Sequence, residues 1–528
     1  MDVSINAPMA HILAYITVGF VGCLGIRHLF NLSPRIRGSG LGKQYLRVER
    51  YFSNKLAYTI LPRHIRPTLP PLGAILIVVV FFCCALPILL VRNNLRINSN
   101  RAGYMVLTIV PFLMSCTGKH SAFALITGMS PVKLNFFHRL LGFACVIFAT
   151  VHMACMLHQW SKFPSFLASN LATDQVKYGL SGYGCLCLVF LGAQYPFRRF
   201  CYEAFLGTHL FAFGFIGAIA KHSDYAMNYF AAGIICYGLN AFVGLFVKSR
   251  LARANVEALP NGCTRLQLRM SSPVLHRPGQ HIYIMLPKIS YIQWHPFTIT
   301  NTFSDKSGGG IVVELHATVR GNFTRSLYQK ADGQDWVAFV SGPCGNGSYD
   351  LEPQYILKTH KKVLLMNAGA GVTFGIRLLR ELSAVIQENP MDTWVTRDIY
   401  FCWTVRNAGE LEWFKRELES HILSFGELSS ASDKVPRIHV HLYATRSADG
   451  SISPIEEEKF ADFAEVSRVK QEYGKRMQLS AYLDNPDGLQ MGVFACGPKE
   501  FNAEIKNLVA SQTSLKSVPH LHCESFEY

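Results

Sequence analysis

Four histidines lie inside apolar stretches of this sequence, in two pairs whose spacing suits metal chemistry. His138 and His152 are 14 residues apart in one stretch, and His209 and His222 are 13 apart in another. An ionisable side chain is expensive inside a membrane and is kept there where it has a function. On an α-helix, 14 residues rise about 21 Å and return to within about 40° of the same face. One helix can therefore offer two imidazoles to two haems stacked through a bilayer. Imidazole on both faces of a haem iron makes a closed, six-coordinate centre, suited to electron transfer more than to oxygen binding. With one span between them the two helices run parallel, which pairs His138 with His209 near the cytosolic side and His152 with His222 near the outer side. A spacing of 13 leaves His209 and His222 about 140° out of phase. Their helix is therefore expected to carry an irregular turn, such as a π-bulge near Gly214 or Gly217, unless the second ligand lies elsewhere. His11, His28, His120 and His158 fall near helix ends and read as interfacial side chains.

A second set of residues follows in the polar half. His295-Pro296-Phe297-Thr298 ends a strand-like segment with an aromatic face and a hydroxyl. Arg320-Gly321-Asn322-Phe323-Thr324 gives a cation, a glycine and a hydroxyl just before a helical run, where a pyrophosphate is favoured. Gly342-Pro343-Cys344-Gly345 is a tight turn. Gly369-Ala370-Gly371-Val372-Thr373 follows the buried-type strand Lys362–Met366 and opens a helix, the usual seat of a dinucleotide phosphate. The next strand, Asp398–Val405, ends at Arg406, where an arginine suits the 2′-phosphate of NADP and an acid would suit NAD. The alternative for Arg406 is a solvated strand end. A last strand, Met491–Ala495, runs into Cys496-Gly497-Pro498 at the same crevice.

These residues need elements to hold them, and composition shows where those divide. The chain has 528 residues, half of them hydrophobic, too many for one ordinary core. Long apolar runs dominate to about residue 248, after which charged and apolar residues alternate. Runs near 20 apolar residues predict spans at Met9–Phe30, Leu72–Val91, Gly103–Thr127, His138–His158, Tyr178–Phe197, Glu203–His222 and Ala226–Val247. The first has no basic leader or small-residue cleavage site and reads as a retained span. The net charge of +16 is concentrated in part between Asn31 and Pro71, where Arg35, Arg37, Lys43, Arg47, Arg50, Lys55, Arg63 and Arg66 face one acid, Glu49. That is the pattern of a cytoplasmic loop, and no nucleic-acid motif accompanies it. Lys248, Arg250 and Arg253 place the second half in the cytosol by the same rule. Arg92, Arg96 and Arg101 then lie outside, against the rule, and with Lys162 and Lys177 offer a basic outer surface to anionic chelates. The 15 cysteines form no CxxC pair and read mostly as small buried hydrophobes.

The polar half divides again. Short strand-like runs at Arg265–Met270, His281–Pro287, Ile311–Thr318 and Trp336–Ser341 predict a small antiparallel barrel over 255–357. A strand–turn–helix pattern predicts an α/β domain over 358–528. The expected organisation is an N-terminal span with its basic loop (1–71), a helical bundle with a bis-haem core (72–248), the barrel and the α/β domain.

The order HPFT, RGNFT, GPCG, GAGVT and CGP resembles the flavin/NADP module of ferredoxin-reductase type. The run TGKHSAFALITGMSPVKLNFFHRLLG, followed by the histidine quartet, resembles the ferric reductase transmembrane domain. Together, over roughly residues 72 to 528, they resemble the fungal ferric-chelate reductases, which share this architecture with the NADPH oxidases. The resemblance implies haem ligation by His138, His152, His209 and His222, and FAD contacts at His295–Thr298, Gly321 and Thr324. It implies NADPH contacts at Gly369–Thr373, Arg406 and Cys496–Pro498, and an aromatic, Phe526 or Tyr528, beside the flavin. The expected activity is ferric-chelate (or cupric) reduction across a membrane through FAD and two haems b, with an iron uptake system as partner and the plasma membrane as location, an internal membrane being the alternative. Superoxide production by an NADPH oxidase is the rival activity, and a non-enzymatic scaffold the rival class. Phe374 stands where the family usually has proline, and Cys344 where an aromatic is common.

Overall fold

In the computed structural model the described residues are 5–61, 69–118, 121–271, 276–304, 310–345, 348–389, 392–431, 434–446, 467–484 and 490–525. The chain forms two compact units: residues 1–30 with 76–247, and residues 31–75 with 248–528.

The first unit is helical. Among the described residues, five helices are long and apolar enough to cross a membrane: Asn6–Leu32, Leu72–Leu90, Pro131–Trp160, Tyr202–His222 and Ala226–Val247. Two expected spans take other forms. The third is a 16-residue helix, Asn100–Ser115, followed by the short helix Ala122–Thr127. The fifth is Asp174–Gly192, which begins with an acid and carries five polar or glycine positions in its first two turns. Its polar composition, not its length of 19 residues, keeps it out of the apolar set. Asn100–Ser115 is the most buried helix of the unit, with Met105, Leu107, Ile109 and Val110 in the core. Arg101 on that helix is 2% exposed. Its guanidinium donates to Asn6 Oδ1 (3.3 Å), Ile88 O (3.2 Å) and Val91 O (2.5 Å). Arg101 is thus a helix tie and not part of a basic outer surface, because a buried guanidinium is tolerated only where its donors are met.

The second unit contains two sheets. Six strands close an antiparallel barrel in the order β1-β2-β5-β4-β3-β6: β1 Ser249–Leu259, β2 Cys263–Met270, β3 His281–Met285, β4 His295–Ser304, β5 Ile311–Thr318 and β6 Asp335–Cys344. Burial alternates along β1, β2 and β6, so Ala254, Val256, Leu266, Leu268, Ala338 and Val340 fill the interior. A six-stranded sheet follows, ordered β10-β9-β8-β7-β11-β12, from β7 Lys362–Ala368, β8 Asp398–Val405, β9 Arg437–Ala444, β10 Ser467–Tyr473, β11 Met491–Cys496 and β12 His520–Glu524. Every pairing in it is parallel. β7 and β11 are buried along almost their whole length, as strands covered on both faces must be. The order reverses beside β7, and the crevice at the carboxyl ends of β7 and β11 is where such sheets take ligands.

Candidate functional site

The helix Pro131–Trp160 carries both His138 and His152. The other two histidines close two successive helices, Tyr202–His209 and Phe211–His222. The expected irregular turn is present, but at Leu210 and not near Gly214 or Gly217. There Leu210 N–H donates to Gly207 O (3.2 Å) and Phe213 N–H to Leu210 O (3.0 Å), i→i−3 bonds that tighten the helix beside His209.

His152 and His222 face one another, with ring centroids 6.3 Å apart and planes at 64°. Two imidazoles on opposite sides of one metal, at about 2 Å per metal–nitrogen bond, have centroids roughly 6 Å apart. The pair therefore fits a bis-histidine iron. His152 Nδ1 lies 3.1 Å from Ser99 O, and His222 Nδ1 lies 2.8 Å from Gln175 O. A carbonyl can only accept, so both Nδ1 atoms carry the proton and both Nε2 atoms are left as ligating lone pairs. His138 repeats this with Leu113 O at 3.1 Å. His209 is an electrostatic neighbour of His138 and lies against Phe205 at 4.6 Å.

Small residues on the helix Asp174–Gly192 let the helix carrying His222 come close. A Cβ at Gly179 would lie 2.6 Å from His222 Nδ1, one at Gly182 would lie 2.6 Å from Ile219 Cδ1, and one at Gly192 would lie 1.9 Å from Thr208 Oγ1. Glycines at these positions permit the backbone approach typical of packed membrane helices.

In the barrel, three motifs meet. β3 lies between the other two strands, with His281 opposite Thr298 on β4 and opposite Cys344 on β6. His295 stacks on Phe323 (3.8 Å, 27°), which joins the HPFT segment to the helix Asn322–Lys330. Thr324 Oγ1 accepts from Arg320 N–H (2.8 Å) and Gly321 N–H (3.1 Å), so this hydroxyl holds the turn. A Cβ at Gly321 would meet nothing within 4 Å, which leaves the helix N-terminus open to a phosphate group. Pro296 and Phe297 are partly buried on the same strand.

The α/β turns converge as well. Gly369 has φ +54°, a conformation that favours glycine, and its carbonyl accepts from Trp403 Nε1 (3.1 Å). A Cβ at Gly371 would lie 2.1 Å from Cys496 O, so the turn Gly369–Thr373 and the turn Cys496–Pro498 touch. Thr373 Oγ1 donates to Ala370 O (3.1 Å), and Val372 is buried beneath. Burial and then Glu524 push the Cys496 thiol well above its ordinary value, so it is no nucleophile. Arg406 is exposed at the end of β8, beside Arg446 at the end of β9, whose N–H donates to Arg406 O (2.9 Å). Burial raises the pKa of Glu410, while the charges of Arg406, Arg320 and Arg446 pull it back. Phe526 and Tyr528 lie outside the described residues.

Two features were missed from the sequence. Arg380 donates to Thr300 O on β4 (2.8 Å) and pairs with Glu417 (2.6 Å), tying barrel to α/β domain. The second is a buried ionic chain at the sheet edge. His520 Nε2 and His522 Nδ1 lie 3.1 and 3.6 Å from Asp350 Oδ2, and His522 Nε2 lies 2.9 Å from Glu524 Oε1. Burial disfavours charge on His522, but its bonds to Asp350 and Glu524 outweigh that and push it up to about 9. Burial and Arg50 hold His520 down at about 4. Burial opposes charge on Asp350, yet the two imidazoles hold it well below the usual carboxylate range. Phe374 is 1% exposed and stacks on His522 (5.8 Å, 14°). The alternation His520, His522, Glu524 on one strand face was the readable signal for this chain.

Residues 102–220 match the family described as ferric reductase like transmembrane component, 249–348 an FAD-binding domain, and 360–510 the ferric reductase NAD binding domain. The chain is 26% identical over 358 residues to a ferric/cupric reductase transmembrane component 7 of Saccharomyces cerevisiae, covering 65% of this chain and 55% of that protein. It is 24% identical over 422 residues to dual oxidase 2 of Rattus norvegicus, covering 69% of this chain and 26% of that one. It is 26% identical over 276 residues to ferric reduction oxidase 2 of Arabidopsis thaliana, covering 50% and 36%. The chain thus spans about half, or less, of the length of these relatives. With its apolar helices and this transmembrane component, it is a multi-pass membrane protein with FAD- and NAD-binding domains.

Proposed function

We propose, for this chain of the ferric reductase and NADPH oxidase superfamily, a transmembrane NADPH-dependent ferric-chelate reductase. Reducing equivalents enter from NADPH at the cytosolic crevice and leave to a ferric, or cupric, chelate on the far side. When bound, FAD and two haems b supply the change from hydride to single electrons and the path across the membrane. The chain's part is to hold and tune them. His152 with His222, and His138 with His209, hold the two irons; Ser99, Gln175 and Leu113 carbonyls fix the imidazole tautomers. His295–Thr298, Gly321 and Thr324 hold the flavin, and Gly369–Thr373, Arg406 and Cys496–Pro498 hold the dinucleotide. Arg406 and Arg446, adjacent on neighbouring strand ends, suit a 2′-phosphate and so NADPH over NADH.

The 6.3 Å approach of His152 and His222, with both Nδ1 atoms bonded away, is the observation that carries this reading. The similarity to a dual oxidase supports oxygen as the competing acceptor. Membranes containing the protein, given NADPH and a ferrous-trapping dye, separate the two. Dye reduction that persists with superoxide dismutase supports metal reduction. Abolition by dismutase makes the protein an oxidase. No NADPH use and no haem spectrum leave a scaffold.

A further inference from the structure

The basic loop between the first two apolar helices has a structured role. Residues 31–75 belong to the same compact unit as the barrel and the α/β sheet. Ser33 and Ser39 cap two successive helices, Pro34–Gly38 and Gly40–Leu56. Their side chains then make polar contacts with three parts of the reductase half. Asn54, 4% exposed, donates from Nδ2 to Thr513 Oγ1 (3.1 Å) and to Pro519 O (2.8 Å), just before β12. Lys55 Nζ donates to Ala510 O (2.7 Å) at the end of the helix Lys499–Gln512. On that same helix, Asn507 completes a two-bond clip to the backbone of Thr59: Thr59 N–H donates to Oδ1 and Nδ2 donates to Thr59 O, both at 2.7 Å. Arg50 Nη2 donates to Tyr355 Oη (2.6 Å), and the Arg37 guanidinium sits 3.9 Å over the Tyr349 ring.

These contacts do not fall at random. The helix Lys499–Gln512 starts at Pro498, directly after Cys496 and Gly497. β12 ends at Glu524, whose carbonyl accepts from Asn502 Nδ2 (2.8 Å), and the same amide group also donates to Gly497 O (3.0 Å). Tyr349 adjoins Asp350, the carboxylate shared by His520 and His522. Burial opposes charge on Arg50, but Tyr355, Tyr349 and Asp350 raise its pKa, as expected of a guanidinium seated in an acceptor-rich socket. Among the described residues, the contacts from Asn54, Lys55 and Thr59 thus fall on the helix whose first residue follows the Cys496–Pro498 turn and on the segment leading into β12, the strand beside β11.

We propose that this loop is a clasp that positions the crevice: Arg50, Asn54 and the Thr59 backbone fix the helix Lys499–Gln512 and strand β12, and through them the turn Cys496–Pro498 and Glu524 opposite Gly371. The inference rests on the reading of that crevice as the NADPH site. Arg50 and Asn54 are positioning residues; neither lies at the turns themselves. Releasing the clasp leaves the dinucleotide a looser site and leaves the barrel and the histidine quartet untouched.

The test uses the full chain in detergent, with Asn54→Ala combined with Asn507→Ala. Hydrogen exchange without nucleotide reads the clasp directly. Amides of 499–524 are expected to exchange at least about tenfold faster, since buried polar partners lose their bonds. NADPH oxidation with a soluble acceptor should show KM raised about 5- to 50-fold and kcat within about twofold. FAD and haem content should match the unaltered chain. Should the double variant lose FAD, Asn507→Asp and Thr513→Val, each removing one donor or acceptor, are measured instead, with a two- to fivefold KM change expected. Arg50→Ala should raise KM in the same way, and Arg50→Lys should restore part of it. Unchanged exchange over 499–524 together with unchanged KM overturns the clasp. If the unaltered chain itself uses no NADPH, the crevice reading fails, while the exchange result still decides the clasp.

Discussion

Gly179→Ala should remove or weaken one haem. The added Cβ would stand 2.6 Å from His222 Nδ1 and 2.7 Å from Cε1. Ordinary carbon contacts lie at about 3.5–4.0 Å, so the ring must move by about 1 Å. That movement breaks the 2.8 Å bond to Gln175 O, which fixes the tautomer. Losing this exposed bond costs about 0.5–1.5 kcal/mol, and overpacking costs about 1–3 kcal/mol. Alanine returns at most about 1 kcal/mol in helix propensity. The net loss of about 1–4 kcal/mol lowers affinity for that haem by a factor of roughly 5 to 1,000. The assay is the haem to FAD ratio of purified protein, with a redox titration of haem absorbance. The ratio should fall from two toward one, with one potential retained. Gly217→Ala, where a Cβ meets nothing within 4 Å, is the control and should keep both. If Gly179→Ala keeps two haems at unchanged potentials, His222 is not a ligand held as described.

Three further outcomes concern the second unit. His522 is pushed up to about 9, so the folded form holds its proton more tightly than the unfolded chain does. Its contribution, on the order of 3 kcal/mol, is present in full below about pH 6.5 and lost as pH rises through about 9. Hydrogen exchange of β12 should therefore accelerate between pH 7.5 and about 9.5, and His522→Phe should flatten that dependence. Arg406→Ala with Arg446→Ala should raise KM for NADPH about 10- to 100-fold and leave that for NADH within about twofold; equal effects on both would refute the 2′-phosphate assignment. Arg380→Ala removes the guanidinium that bonds the part-buried Glu417 and the carbonyl of the buried Thr300, leaving Glu417 with His421 at 3.6 Å. It should lower the unfolding free energy by about 3–5 kcal/mol, seen as a lower Tm of the flavin fluorescence transition.

What the sequence made readable was local. The glycine turn at Gly369–Gly371, and strands made of unbroken β-branched and aliphatic runs, declare themselves within a short window, whereas Gly342–Cys344, expected as a tight turn, forms the end of β6 and pairs with β3. β7 and β11 are strands of that readable kind. β9 and β12 were not recognised because RIHVHLYA and HLHCE place histidines where a buried strand has aliphatics. Those histidines are tolerated only because partners such as Asp398 and Asp350, distant in sequence, meet them. β1 begins at Ser249, six residues before the expected barrel edge, because its arginines were read as a membrane flank while its register with β2 and β6 decides otherwise. The two histidine pairs and their spacing stood in the sequence, and so did the need for an irregular turn. The place of that turn was not, since it depends on which backbone bonds tighten around Leu210. Arg101 read as solvated because nothing near it in sequence supplies its acceptors; Asn6, Ile88 and Val91 do so only in the fold. The clasp was hidden for the same reason: positive charge near a span describes a cytoplasmic loop equally well whether it is solvated or docked.

Electron delivery across the membrane is tested most directly in sealed proteoliposomes with the nucleotide domain facing out. NADPH is added outside, and ferric chelate with a ferrous-trapping dye is sealed inside. The account predicts dye reduction within the lumen that depends on external NADPH and disappears in His152→Ala and His222→Ala. Reduction confined to the outer solution, or lumenal reduction unaffected by those substitutions, would contradict it.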